Sequence, residues 1–371
     1  MINPNLGLYL HIPFCLSKCA YCDFYSVIPN EELLNNYTKA LIREIKQWGG
    51  KINRPIATIY LGGGTPSLLK HRLSEIIGSV KSYFKVLSNA EITLEMNPSG
   101  DIEEMLFFAE AAGVNRLSIG AQSGIDKELL LLGRRHSAKD TVNAVNLARK
   151  AGFDNISLDI MLGLPYSTAD TLNESLEFIY SLDPEHISAY ILKIEENTPL
   201  YKRKNEISFP DDDRISDQYL QMCAFLESRG YIHYEISNFS KEGYESRHNL
   251  KYWNLDPYLG IGPSAHSFLD GKRFFYKKNL PKFIEGEPVE FDCYGGQAEE
   301  FIMLKLRTLG GIDPMEFESC YGKPLGDRFY EQSLIFEKHG LMSHDNGRYF
   351  LTDKGMLLSN SIISKILECL V

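Results

Sequence analysis

Along the first two-thirds of the chain, apolar positions follow two alternating rhythms. Short apolar runs occur at Leu8–Ile12, Ala57–Leu61, Glu91–Glu95, Arg116–Gly120, Asn155–Met161 and His186–Ile191. Their length suits strands, and most of them lack the polar alternation of a half-solvated sheet. Longer amphipathic stretches lie between them. From Glu31 to Trp48, Leu33, Leu34, Tyr37, Leu41 and Ile45 recur near the helical period, and further helices are predicted at about residues 70 to 84, 101 to 112, 126 to 150 and 168 to 181. Gly113 and Gly152 close two of these stretches, where a left-handed residue satisfies the last carbonyls. Strands separated by helices of this length run parallel with right-handed crossovers. The pattern therefore predicts six β/α units, an incomplete, partial TIM-like (β/α)6 barrel of the α/β class.

Parallel barrels place their chemistry at the C-terminal ends of the strands, and polar or flexible residues follow the apolar runs here. After the second run comes Gly62-Gly63-Gly64-Thr65-Pro66, after the third Glu95-Met96-Asn97-Pro98, and after the fourth Gln122. In the fifth, Asp159 interrupts an apolar strand before Gly163-Leu164-Pro165. Carboxylates in buried strands are costly unless paired, so Glu95 and Asp159 are expected to face a ligand or a structural Arg. The glycine loop is read as a place where backbone approaches a ligand, its plainer reading being a tight turn.

Directly after the first strand, Cys15, Cys19 and Cys22 place three thiols within eight residues. Structural zinc sites and ferredoxin clusters want four protein ligands. Three thiolates on a [4Fe-4S] cluster leave one iron open for a bound molecule. The competing readings are three neighbouring buried cysteines, or half of a zinc site completed by His11. The other cysteines, Cys223, Cys293, Cys320 and Cys369, are scattered singly and the total of seven is odd, so a disulfide framework is not expected and the compartment reads as reducing.

At 371 residues, 44% hydrophobic and with a formal net charge of −10, the chain suits two globular domains and argues against general nucleic-acid affinity. No basic and apolar leader and no run of 18 apolar residues occurs, so a cytoplasmic location is expected. Beyond the repeats, a helix is predicted from Asp211 to Arg229 and an edge strand at Tyr231–Ile236. Ser246–Trp253 and Leu259–Ser267 then concentrate His, aromatic and Gly residues without period, reading either as functional loops or as a packing junction. From about residue 293 the order is helix (Gln297–Leu309), helix (Phe329–His339), short strand (Gly347–Thr352) and a last helix from Asp353, a mainly helical, winged-helix-like arrangement. Its acidic residues, among them Glu299, Glu316 and Glu331, speak against a DNA-recognition role.

The C-x3-C-x2-C spacing resembles the signature of the radical S-adenosylmethionine (SAM) superfamily. Together with Tyr9–Cys15, Gly62–Ser67, Glu95–Pro98, Gly120–Ser123, Leu132–His136 and Asp159–Pro165, it resembles the oxygen-independent coproporphyrinogen III oxidase family, HemN, and its HemW branch. The resemblance implies a [4Fe-4S] cluster on Cys15, Cys19 and Cys22 with SAM chelated at the open iron. It places the SAM contacts on Tyr9, Gly63, Gly64, Thr65, Glu95, Gln122, Arg134 and Asp159, with Arg135 competing for the role of Arg134. It also implies a radical SAM core over 1–236, a connecting segment over 237–292 and a helical lid over the barrel mouth at 293–371. Two functions follow from it: a haem chaperone delivering to acceptor proteins such as membrane respiratory haem proteins, or a coproporphyrinogen III decarboxylase, either fed by a flavodoxin- or ferredoxin-like reductant. HemN enzymes carry a further cysteine two residues after the third, where this chain has Phe24, and a longer N-terminal arm; both departures favour the chaperone. His248 is the expected haem ligand, chosen over His266 and His11.

Overall fold

The computed structural model describes residues 5–368; the leader reading of Met1–Pro4 and Cys369 lie outside the described residues. The six expected units are present in order. They comprise β1 (Leu6–Ile12), α1 (Glu31–Gly49), β2 (Ile56–Gly63), α2 (Arg72–Tyr83), β3 (Val86–Met96), α3 (Ile102–Ala112), β4 (Arg116–Gln122), α4 (Asp126–Leu131), α5 (Ala138–Lys150), β5 (Ile156–Leu162), α6 (Ala169–Ser181) and β6 (His186–Ile191). All neighbouring pairs from β1 to β6 are parallel. Local signals set the helix starts. Asn30 and Asp101 cap α1 and α3 through their side chains, and Ser137 with Asp140 forms a capping box on α5. That last cap explains a correction: the helix expected over 126–150 is two helices, separated where Gly133 takes φ +70° and a new N-cap begins.

The sheet is larger than six strands. After α7 (Pro199–Lys202) and α8 (Asp212–Glu227), the hairpin β7 (Ile232–Glu235) and β8 (Asn238–Ser240) pairs with β6. After α9 (Arg247–Trp253), strand β9 (Tyr258–Ile261) returns to pair in parallel with β1, and β10 (His266–Leu269), β11 (Lys272–Phe275) and, past α10 (Leu280–Glu285), β12 (Glu290–Tyr294) follow it. The segment 237–292, expected as a connection, thus builds into both flanks of a twelve-stranded sheet. Its strands of three to five residues are too short to show alternation in the sequence.

The C-terminal module consists of α11 (Ala298–Lys305), α12 (Pro314–Tyr321), α13 (Asp327–Lys338), the hairpin β13 (Met342–Asp345) and β14 (Arg348–Leu351), α14 (Asp353–Leu357) and α15 (Ser359–Glu368). The sequence reading missed α12. The module shares one hydrophobic core with the barrel. Its bonds run to the β7–β8 hairpin, to the segment leading into β9, and to β11: Leu309 N donates to Tyr234 O, Ile236 N to Arg307 O, Lys305 Nζ to Asn254 Oδ1, and Arg273 pairs with Glu300. These contacts make it a brace on the barrel flank, not the cover over the strand ends that was expected.

Side chains alternate along each parallel strand. Leu6, Leu8, Leu10 and Ile12 are fully buried in the apolar core, as are Ile156, Leu158 and Ile160. The intervening positions form a polar interior: Tyr9, Thr58, Tyr60, Thr93, Glu95, Arg116, Ser118, Ser157, Asp159, His186 and Ser188. At the return strand, a Cβ on Gly260 would lie 2.2 Å from the His266 carbonyl oxygen, an approach only glycine tolerates, whereas one on Gly78 in α2 meets nothing within 4 Å. Gly260→Ala is expected to destabilise by about 1–3 kcal/mol through overpacking. Gly78→Ala should stabilise by about 0.5–1 kcal/mol through helix propensity. Urea melts of the two variants that shifted in the same direction would contradict this reading of the return strand.

Candidate cofactor site

The loop after β1 carries the three cysteines, and it is pinned from several sides. Cys15 N donates to Val27 O, Ala20 N to Leu132 O, and Leu200 N to Ala20 O. A small apolar cluster of Leu132, Met161, Leu164, Leu192, Leu200 and Ile207, with Ala20 and Tyr21 against it, underlies the loop. The glycine loop after β2 lies alongside: Gly64 N donates to Ile12 O and Thr65 N to Phe14 O. Here the structure revises the reading of the glycines. A Cβ on Gly63 would strike the His11 ring at 2.5 Å, and one on Gly64 the Phe14 carbonyl oxygen at 2.6 Å. These positions are therefore glycine because strands β1 and β2 crowd them, whatever they also offer to a ligand.

The sulfurs are met by donors from successive strand ends. Thr65 Oγ1 is 3.7 Å from Cys15 Sγ, and Arg134 Nη1 is 3.5 Å from Cys19 Sγ. Arg134 is aimed by Nη2, which donates to Asn97 Oδ1 and to Gly120 O, both at 2.6 Å, while Asn97 Nδ2 donates to Thr65 Oγ1. Arg135, the neighbouring candidate, is exposed, whereas Arg134 reaches the cysteine loop. Donors to thiolate sulfur stabilise its charge and tune a cluster held there. Asn97 stood in a quoted motif without a role; only the fold shows that it couples Thr65 to Arg134.

Inside the barrel mouth, Tyr60 Oη donates to Glu95 Oε1 at 2.8 Å and Gly63 N donates to Glu95 Oε2 at 3.0 Å. Each Glu95 oxygen thus keeps acceptor capacity for a further donor. Asp159 Oδ1 is buried with no partner. Burial first, and then the nearby Glu95 charge, push the Asp159 carboxyl up to about 7, against the pull of Arg134, Arg116 and a hydrogen bond with Ser118. Burial also raises Glu95. Arg116, buried at the head of β4, is the structural Arg anticipated for these acids, although its Nε has no partner. Gln122 is buried at the end of β4 with φ +70°, next to an irregularity in the β4–β5 register. Such backbone strain concentrates at ligand sites, and the sequence alone does not reveal it. Tyr9 pairs with His11 Nδ1 at 2.9 Å and packs against Tyr60.

His248 is elsewhere. It is buried beside Gly7 and Thr58, at the start of β1 and β2, the end opposite the cysteines. Its Nδ1 bonds Thr58 Oγ1 at 2.8 Å and its Nε2 bonds Tyr252 Oη at 2.9 Å, while Glu91 caps its helix by accepting from Arg247 N and His248 N. Both ring nitrogens being engaged, His248 serves packing here and is not placed to ligate haem iron. A cleft of about 390 Å3 adjoins the cysteine loop, lined by Leu16, Cys19, Thr65, Asn97, Arg134 and His136. A larger one of about 490 Å3, between Pro257, Phe268, Phe301 and Tyr321, lies at the strand-start end, remote from this chemistry.

Three loop thiols with sulfur-directed donors, and a buried carboxylate oxygen without a partner at the adjoining strand end, fit an iron–sulfur cluster with a polar ligand beside it. This is a radical SAM fold. Residues 9–179 match the Radical SAM superfamily model and residues 297–358 the HemN C-terminal domain model. The chain is 35% identical to "Heme chaperone HemW" of Bacillus subtilis (strain 168), covering 97% of this chain and 98% of that one. It is 33% identical to the protein of the same name from Mycobacterium tuberculosis (strain CDC 1551 / Oshkosh), covering 99% and 96%. The solved structure of coproporphyrinogen III oxidase (HemN) from Escherichia coli superimposes with a TM-score of 0.84 at 23% identity, covering 98% of this chain and 90% of that one. The chain belongs to the HemW family of radical SAM proteins.

The titration of Asp159 gives a check with a definite sign. Between its ordinary value of 3.8 and about 7, the folded protein retains a proton that the unfolded chain has lost, so ionising Asp159 costs stability as pH rises through that window. Burial acts oppositely on His11 and His136, both lowered to about 4, so the difference between variants isolates the carboxyl. Asp159→Asn is expected to gain on the parent by a few kcal/mol, in order of magnitude, between about pH 4 and pH 7 in cluster-free protein. A difference independent of pH in denaturant melts would contradict the buried placement of this carboxyl.

Proposed function

We propose that this protein is a haem chaperone: it holds a [4Fe-4S] cluster and SAM at the barrel mouth, takes up haem there, and hands it to acceptor proteins. The observation that carries the reading is the apolar rim of that mouth. Leu16 and Phe24 on the cysteine loop, Ile28 just beyond it, Tyr166 after β5, and Tyr190 and Ile191 at the end of β6 are all large and exposed, Phe24 by 67%. Exposed apolar side chains gathered at one end of a fold mark an interaction site, and haem is a large, flat, apolar ring. The full-length relation to proteins named as haem chaperones supports the same reading.

Cys15, Cys19 and Cys22 are the residues proposed to hold the cluster, which when bound supplies one-electron reduction chemistry toward SAM. The chain's own part is orientation. Arg134 and Thr65 direct donors at the sulfurs, Glu95 presents acceptor oxygens from β3, and Gln122 and Asp159 complete the wall from β4 and β5. Tyr9, Gly63 and Gly64 form the floor between the first two strands. With His248 engaged, the haem-iron role passes to His11, whose Nε2 is buried without a partner and whose ring burial keeps neutral, the form that iron takes. A flavodoxin- or ferredoxin-like reductant and haem-accepting proteins, membrane respiratory ones among them, are the partners this reading implies. Among the described residues no helix is long and apolar enough to cross a membrane.

Haem titration of the full chain, followed by absorbance, tests the proposal. The parent is expected to bind one haem. Phe24→Glu with Ile191→Glu should weaken binding about tenfold or more by putting charge against the ring, and His11→Ala should shift the Soret band. His248→Ala should leave the band unchanged. Equal affinity in the rim variant would overturn the docking face.

A further inference from the structure

A second group of metal-capable donors lies where the barrel meets the C-terminal module, and neither the fold nor the proposed function uses it. Cys223 sits on α8, His233 on β7, and Asp353 at the first position of α14, 120 residues beyond His233. One donor atom from each lies within 4.8 Å of the other two. His233 Nδ1 is 3.0 Å from Asp353 Oδ1, and its ring is fixed by stacking on Phe239, with centroids 4.2 Å apart and planes 13° from parallel. Tyr219 closes the other side edge-on. The His233 side chain is fully buried and its Nε2 has no partner, a cost a fold ordinarily avoids.

Glu227 stands one helical turn beyond Cys223, on the same face of α8, near enough for its carboxyl to feel both Asp353 and His233. Among the described residues, no Lys or Arg bonds Cys223, Glu227 or Asp353. An ion pair of His233 with Asp353 beside an inert thiol accounts for His233 Nδ1 but leaves the buried Nε2 unexplained. A thiol, an imidazole and a carboxylate converging in this way without a cation make a borderline-soft set of three donors. That set suits a tetrahedral divalent ion with water in the fourth position, with ligand distances of about 2.0–2.3 Å.

We propose that Cys223, His233 and Asp353 form a binding site for a zinc-like divalent cation, separate from the iron–sulfur loop, that clamps the C-terminal module to the barrel. The module's other polar ties to the barrel are a few backbone bonds, the Lys305–Asn254 contact and the Arg273–Glu300 ion pair, so a coordinated ion joining α8, β7 and α14 would add a link on the β7 side. The bond from Asp353 to His233 that the structure shows orients these two donors toward the shared point.

The test uses the full-length chain carrying Cys15→Ala, Cys19→Ala and Cys22→Ala, so that the first set of thiols cannot compete, titrated anaerobically with cobalt(II). One equivalent is expected to give visible d–d bands of tetrahedral intensity and a near-ultraviolet thiolate-to-cobalt band, both displaced by zinc. Adding Cys223→Ser should abolish the charge-transfer band, and adding Asp353→Asn should weaken binding about tenfold or more. Zinc should raise the melting temperature of the starting variant and leave that of the Cys223→Ser form unchanged. Absence of the thiolate band in a variant whose circular dichroism matches the parent, or its persistence in Cys223→Ser, would overturn the site. Asp353→Asn provides a second route should the serine variant not fold.

Discussion

The structure depends on what parallel strands do with their inward faces. Each of the six strands sends its apolar residues outward under the helices and its polar ones inward, so the barrel interior is a row of hydroxyls, acids and imidazoles with Arg116 among them. Burying Glu95 and Asp159 there is unfavourable enough to push both carboxyls up, and only partial compensation comes from Arg116, Arg134, Tyr60 and Gly63. An interior left short of partners on Asp159 is an interior prepared for a polar ligand.

The two ends of that interior are treated oppositely. At the strand starts, α9 closes it: His248 spends both ring nitrogens on Thr58 and Tyr252, and Glu91 caps the helix from β3. At the strand ends, backbone crowding around Gly63 and Gly64 draws the glycine loop against the cysteine loop, and Asn97 and Arg134 bring donors to the sulfurs. Around this open end the surface turns apolar, from Leu16 to Ile191. A polar pocket for SAM with an apolar rim beside it suits a ring-shaped apolar cargo held near a redox centre.

Much of this was legible in the sequence because parallel strands buried on both faces advertise themselves as apolar runs, and the strand-end rule then points to Gly63, Glu95, Gln122 and Asp159. What escaped has physical reasons. Strands β9 to β11 have four residues each, too few for a period, so the return of the chain to β1 was invisible. His248 misled because a histidine among aromatics reads alike whether it ligates or packs, and only its two hydrogen bonds decide. The C-terminal module was correct in its order of elements except for α12, but its place on the barrel flank rests on backbone bonds to Tyr234 and Ile236 that no sequence pattern reports.

A radical SAM scaffold that carries haem as cargo is expected not to make its precursor. The most direct measurement is to incubate the reduced, cluster-loaded protein anaerobically with SAM and coproporphyrinogen III and follow the porphyrinogens by chromatography. The account predicts that coproporphyrinogen III is recovered unchanged; protoporphyrinogen IX accumulating over many turnovers would contradict it.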